Sequence, residues 1–110
     1  MAFKNLIDKI WKFIKERGWE SSQKPRSLAI SIVLEASELL EHFQWRDDKD
    51  FWEAYKMDPK TREAVTDEIA DVLIYVLTLC KILELEPEKI IEKKLEKNAK
   101  KYPPGRGGRT

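Results

Sequence analysis

The sequence predicts an all-α domain: a four-to-five-helix bundle completed by homo-oligomerisation. Three observations point there. Apolar residues recur at three- and four-residue steps along most of the chain. No stretch alternates apolar and polar residues, and no hairpin dipeptide is present. At 110 residues the chain is a single domain with a thin core, yet it is 42% hydrophobic and carries four tryptophans. That is more apolar area than a few helices bury alone, so association would finish the core.

The helices follow in order. Phe3, Leu6, Ile7, Ile10, Trp11 and Ile14 share a helical face over residues 3–17, and Gly18 is suited to end that helix in the left-handed conformation. Pro25 and Ser27 open a second helix over 27–44, with Ser27 its expected N-cap. The acidic stretch Asp47–Asp50 interrupts the pattern, and Phe51, Trp52 and Tyr55 indicate a short helical turn. Pro59 suits the first turn of a third helix running to about Glu84. Pro87 opens a fourth that reaches about Lys101, where Pro103-Pro104 stop it. Residues 1–104 form the helical domain in this reading, and 105–110 a flexible basic tail.

Composition excludes several classes. Twenty-one Lys and Arg stand against 20 Asp and Glu, so net charge draws the chain to neither a nucleic acid polymer nor a membrane. The balance is local instead: Lys and Arg crowd the segment after Lys89, where only Glu92 and Glu96 oppose them. Cys80 is a lone thiol in an apolar run, which reads as a small buried hydrophobe. No apolar run approaches membrane-spanning length and no leader is evident, so a cytoplasmic address is expected.

Helices two and three break a local rule in the same way. Between Leu28 and Leu40 the only charged residues are Glu35 and Glu38; between Ile69 and Cys80 the only one is Asp71, with Glu68 just before it. Each pair is three residues apart and so shares a helix face. One such pair reads as a solvated stripe. Two matched pairs on the two most apolar helices would set four carboxylates in one volume, where repulsion and burial are relieved by a divalent cation. The donors are all oxygen, which favours Mg2+, with Mn2+ as substitute, over zinc, and magnesium commonly shares its shell with phosphates.

Other residues carry two readings each. Trp19 and Trp45 lie just past the ends of helices one and two, and are suited either to stacking on a nucleobase or to anchoring an interface. Lys94, Asn98 and Lys101 are a solvated basic face or, beside a metal cluster, phosphate ligands. His42, the only histidine, reads as a helix-end residue.

With these residues placed, the chain resembles the MazG-like all-α nucleoside triphosphate pyrophosphohydrolases, in particular their dCTP pyrophosphatase branch. The resemblance spans about residues 3–104 and rests on ERGWE (16–20), LEASELLEHFQW (34–45), DEIADVLIY (67–75) and KLEKNAKKYP (94–103). It implies a magnesium motif at Glu35, Glu38, Glu68 and Asp71, and base-flanking roles for Trp19 and Trp45. It also implies a place for Tyr75 beside the sugar and metal, phosphate-side roles for Lys94 and Asn98, and dimers or tetramers with sites shared between subunits. Ile10, Gln23 and Ser27 depart from the branch's His, His and Asn, which implies relaxed or altered base choice.

The resulting expectation is a magnesium-dependent hydrolase that converts a (d)NTP to (d)NMP and pyrophosphate, with Glu38 orienting or deprotonating the attacking water. The alternatives are a non-enzymatic helical module whose acidic seam binds a basic partner, and a hydrolase of another pyrophosphate-containing metabolite.

Overall fold

The computed structural model describes residues 2–105; Met1 and residues 106–110, and with them all but the first residue of the expected tail, lie outside the described residues. Five α-helices follow in order: α1 (Ala2–Glu16), α2 (Pro25–Glu41), α3 (Asp48–Met57), α4 (Pro59–Ile82) and α5 (Pro87–Lys101), with one 3-10 turn at Glu20–Ser22. No strand occurs among the described residues.

Three details differ from the expected elements. α2 begins at Pro25, with Lys24 as its N-cap in extended conformation and no side-chain cap. Pro25 supplies a preset φ and lacks the N–H that a cap would satisfy, so Ser27 falls inside the first turn instead of capping it. The Phe51–Tyr55 segment is a full helix of 10 residues rather than a turn. The acidic stretch starts it: the Asp47 carboxylate accepts from Asp50 N at 2.8 Å, and Asp48 and Asp50 sit in the first turn, where the helix dipole favours them. Finally, α4 stops at Ile82.

Two helix ends are closed in the same way. Gly18 has φ 68°, with its N–H bonded to Lys15 O and that of Trp19 to Ile14 O. Glu84 has φ 58° with the matching pair, Glu84 N to Lys81 O and Leu85 N to Cys80 O. Both are left-handed caps that satisfy the last carbonyls of a helix. At the first, the cap delivers Trp19 back toward α1, where its ring meets Phe13 edge-on at 6.0 Å.

α2 and α4 are the central pair, and α1 and α3 pack on α4. Phe43 stacks on Phe51 at 4.3 Å, and Arg62 donates to Tyr55 O at 2.9 Å, which ties α3 to the ends of α2 and α4. Ile14, Leu28, Val65, Leu77 and Cys80 are the buried apolar residues. Cys80 is therefore an enclosed hydrophobe as expected, and burial pushes its thiol further from ionisation. Leu28 is only 2% exposed, so Leu28→Ala should leave a cavity costing about 2–5 kcal/mol, read as a shift in the urea midpoint at unchanged slope.

The protomer is open. Its Cα radius of gyration is 17.0 Å, against about 13 Å for a closed globule of roughly this length. α5 makes no extended packing with another helix among the described residues. Ile30, Val33, Leu34 and Leu40 of α2, Leu73 of α4 and Leu95 of α5 are all exposed.

Candidate metal centre and adjoining cavity

The packing of α2 against α4 turns two acid-x-x-acid steps toward each other. Carboxylate oxygens of Glu35, Glu68 and Asp71 all lie within 4.8 Å of one another. Oxygens on one octahedral ion at about 2.1 Å stand roughly 3–4 Å apart, so a small inward movement of these side chains would close a coordination shell. Glu38 is exposed, close enough to Glu35 to raise its pKa, and not part of that trio. The structure thus gathers three of the four expected ligands, with the fourth beside them.

Electrostatics agree with a cation. Glu35 Oε2 and Glu68 Oε2 are buried with no hydrogen-bond partner. The Glu35 carboxyl is pushed up to about 7, first by a proton shared with Glu68, then by burial and by Glu38. Carboxylates this close resist ionising together, which is the cause of the raised Glu35 value. A hard divalent cation would replace that proton and give both orphaned oxygens a partner. Three carboxylates, with no His or Cys in the group, suit such an ion better than zinc.

Beside the carboxylates lies a cavity of about 510 Å³, within the range of small-molecule sites. One wall is α2 and α4, with Glu35, Asp71, Ile74 and Tyr75; the other is α1 and the segment after it, with Lys9, Ile10, Phe13, Trp19 and Gln23. Trp19 is 50% exposed and meets the Phe13 ring in a T-shaped contact. The cavity therefore pairs an apolar, aromatic wall with an acidic one.

Comparison with known proteins decides the family, because residues 30–108 match the sequence profile of the MazG-like family. The chain belongs to the MazG-like family. Curated MazG-like relatives include dCTP pyrophosphatase 1 of Rattus norvegicus, 34% identical over 96 residues that cover 84% of this chain and 54% of that protein. The Homo sapiens protein of the same name is 33% identical over the same shares. The chain thus spans about half the length of the curated relatives it matches. A solved pyrophosphatase from Archaeoglobus fulgidus DSM 4304 superposes with a TM-score of 0.85 at 40% identity, covering 94% of each chain.

Within this MazG-like protomer, Trp19, Tyr75, Glu35 and Asp71 meet at the cavity, and Glu68 joins the carboxylates. The remaining expected ligands do not join them. Trp45 is 86% exposed beyond the end of α2 and does not line the cavity. Lys94 lines a separate shallow hollow with Ile90, Ile91 and Leu95. Lys101 lies over the Tyr102 ring at 5.5 Å, and Asn98 O accepts from Tyr102 N. His42 caps α2 at its C-terminus, as the reading of a helix-end residue required.

Ile10 and Gln23, where the resemblance implied altered base choice, line the cavity while Ser27 does not, and Lys9 and Phe13 line it although spacing marks neither as ligand-facing. Lys9 precedes Phe13 by four residues, which places both on one face of α1. By spacing alone, such a pair is equally what the solvated side of an amphipathic helix presents.

Proposed function

We propose that the chain is a nucleotide pyrophosphohydrolase that converts a (d)NTP and water to the (d)NMP and pyrophosphate. The observation that carries this reading is the trio Glu35, Glu68 and Asp71, with its orphaned oxygens, beside a cavity walled by Trp19. The names of the relatives support it: pyrophosphatases in each case, and for the curated ones dCTP pyrophosphatase.

Magnesium, or manganese in its place, would neutralise the triphosphate and acidify an attacking water when bound. Glu35, Glu68 and Asp71 would hold that ion, with Glu38 as a fourth carboxylate beside them. Trp19 stacks on the base, which fixes the far end of the substrate so that its α-phosphate stops at the carboxylates. Water oxygen adds to the α-phosphorus and the bond to the α,β-bridging oxygen breaks, releasing pyrophosphate. Glu38 is exposed and next to the trio, a position from which it can orient or deprotonate that water. Glu38→Gln should then lower kcat about 10²-fold while the magnesium requirement persists, by analogy with the loss of a general base. Unchanged turnover would remove Glu38 from this role.

Trp45, Lys94, Asn98 and Lys101 complete the site in this reading only if a second copy brings them to the cavity. The openness of the protomer supports a dimer or tetramer in which that happens. Residues 1–104 are proposed as the whole catalytic domain, with a cytoplasmic address; no helix among the described residues is long and apolar enough to cross a membrane.

The test is a panel of canonical deoxy- and ribonucleoside triphosphates with magnesium, scored for monophosphate and pyrophosphate. Equal amounts of the two are expected from at least one nucleotide. Release of orthophosphate without pyrophosphate would overturn the bond assignment.

A further inference from the structure

Among the described residues, Lys9 is the one Lys or Arg that lines the cavity, on the α1 wall across from Glu35 and Asp71. Its neighbours Lys12 and Lys15 on the same helix do not line it. Lys9 nevertheless pairs with neither carboxylate: the ion pairs among the described residues join Lys4 to Asp8 and Lys89 to Glu86. A lysine that served only to offset the crowded carboxylates would reach one of them. The space left between cation and acids is what a metal-bound anion needs. With an ion held by Glu35, Glu68 and Asp71, phosphates bound to it would turn their remaining oxygens toward α1. Lys9 is also offset from the aromatic end of the cavity. It lies four residues before Phe13, about 6 Å along the helix, and the Phe13 ring is the one that Trp19 meets at 6.0 Å.

We propose that Lys9 is a phosphate-binding residue, its ammonium holding the β- and γ-phosphates of the substrate across the cavity from the carboxylates. This rests on the reading of the cavity as a nucleotide pyrophosphohydrolase site. When the bond between the α-phosphorus and the bridging oxygen breaks, its electron pair leaves with pyrophosphate, and negative charge grows on that oxygen. Lys9 brings a positive charge and three N–H donors to that side, and no proton has to move. Lys94 and Lys101 do not line the cavity, so within one protomer this charge comes from Lys9 alone. A contact of this kind discriminates by phosphate number. It strengthens binding of pyrophosphate and of a triphosphate and adds nothing to binding of a monophosphate.

The experiment compares the full chain with Lys9→Met, which keeps an unbranched stem and loses the charge, and with Lys9→Arg, which keeps the charge. Calorimetry measures binding of magnesium pyrophosphate and of dCMP, and steady-state kinetics give kcat and KM for dCTP. Lys9→Met should bind pyrophosphate about 10-fold more weakly and raise KM for dCTP by a similar factor, with dCMP affinity unchanged. Lys9→Arg should stay within about 3-fold of the natural chain, because the contact needs a cation. If dCMP weakens as much as pyrophosphate, Lys9 serves the nucleoside or the seating of α1, and the proposal is overturned. Unchanged constants for pyrophosphate and dCTP overturn it as well, since they mark a solvated lysine. Lys9→Gln serves in the same way should Lys9→Met fail to give a folded protein. Should no triphosphate release pyrophosphate, the hydrolase reading falls on its own, and the pyrophosphate and dCMP affinities still decide whether Lys9 holds a diphosphate.

Discussion

Without divalent cation at pH 8, Glu35→Gln is expected to melt above the natural chain, and with saturating magnesium the order should reverse. The Glu35 carboxyl, ordinarily near 4.5, is pushed up to about 7 by Glu68, burial and Glu38. Its folded-state value therefore lies above its unfolded one. Between about pH 4.5 and 7 the folded chain holds a proton that the unfolded chain has lost, so metal-free stability falls as pH rises through that window. Above it the full repulsion is present. Glutamine keeps the shape, carries no charge and escapes that penalty.

The cation reverses the sign. At about 100 times its dissociation constant, an ion bound only by the folded chain adds about 2.7 kcal/mol, or roughly 10 °C in melting temperature for a domain of this size. Glu35→Gln lacks a ligand and should lose most of that gain, together with about 10³-fold of pyrophosphate release. Calorimetry at pH 6 and 8, with EDTA or magnesium, checks both halves. Identical melting of the two proteins in EDTA at pH 8 would show that the carboxylates are not in conflict. A magnesium shift preserved in the variant would show that Glu35 is not a ligand. Because the ion competes with the shared proton, magnesium affinity should also fall below about pH 7.

The second large effect concerns assembly. Light scattering should give the natural chain a mass that is a multiple of 13.0 kDa, and its melting temperature should fall on dilution. The reason lies in where the apolar area sits. The central helices leave Val33 64% and Leu73 53% exposed, while among the described residues only Ile14, Leu28, Val65, Leu77 and Cys80 are buried apolar side chains. An isolated chain with so little enclosed surface has almost nothing to set against the entropy of ordering five helices. Val33→Glu and Leu73→Glu put a charge on those faces and should abolish assembly, with loss of cooperative unfolding and of any activity that needs a second copy. A wild-type mass of 13.0 kDa with a melting temperature independent of concentration would refute this.

Helix type and order were legible because they depend on local chemistry. The apolar period, Gly18 after α1, Pro59 and Pro87 at helix starts and the matched acidic steps all act within a few residues. The exceptions were also local but ambiguous. Asp47 caps α3, yet in a run of acids it looked like an interruption, and Ser27 looked like a cap until Pro25 took the first position.

Spacing alone placed Glu35, Glu38, Glu68 and Asp71 on two faces. Which three of them converge depends on the rotation of α2 against α4, and that is set by how their side chains interlock. The same holds for the cavity. Nothing within a few residues of Gln23 shows that α1 folds back to set Lys9, Phe13 and Gln23 across from Asp71. The sequence by itself determined an all-helical MazG-like chain with an acidic pair on each central helix. Only the tertiary structure decided that Glu38 stands outside the trio, that Trp45, Lys94, Asn98 and Lys101 do not line the cavity, and that Lys9 and Phe13 do. Helix formation and ligand spacing are short-range properties of the chain, whereas convergence of distant side chains is created by packing.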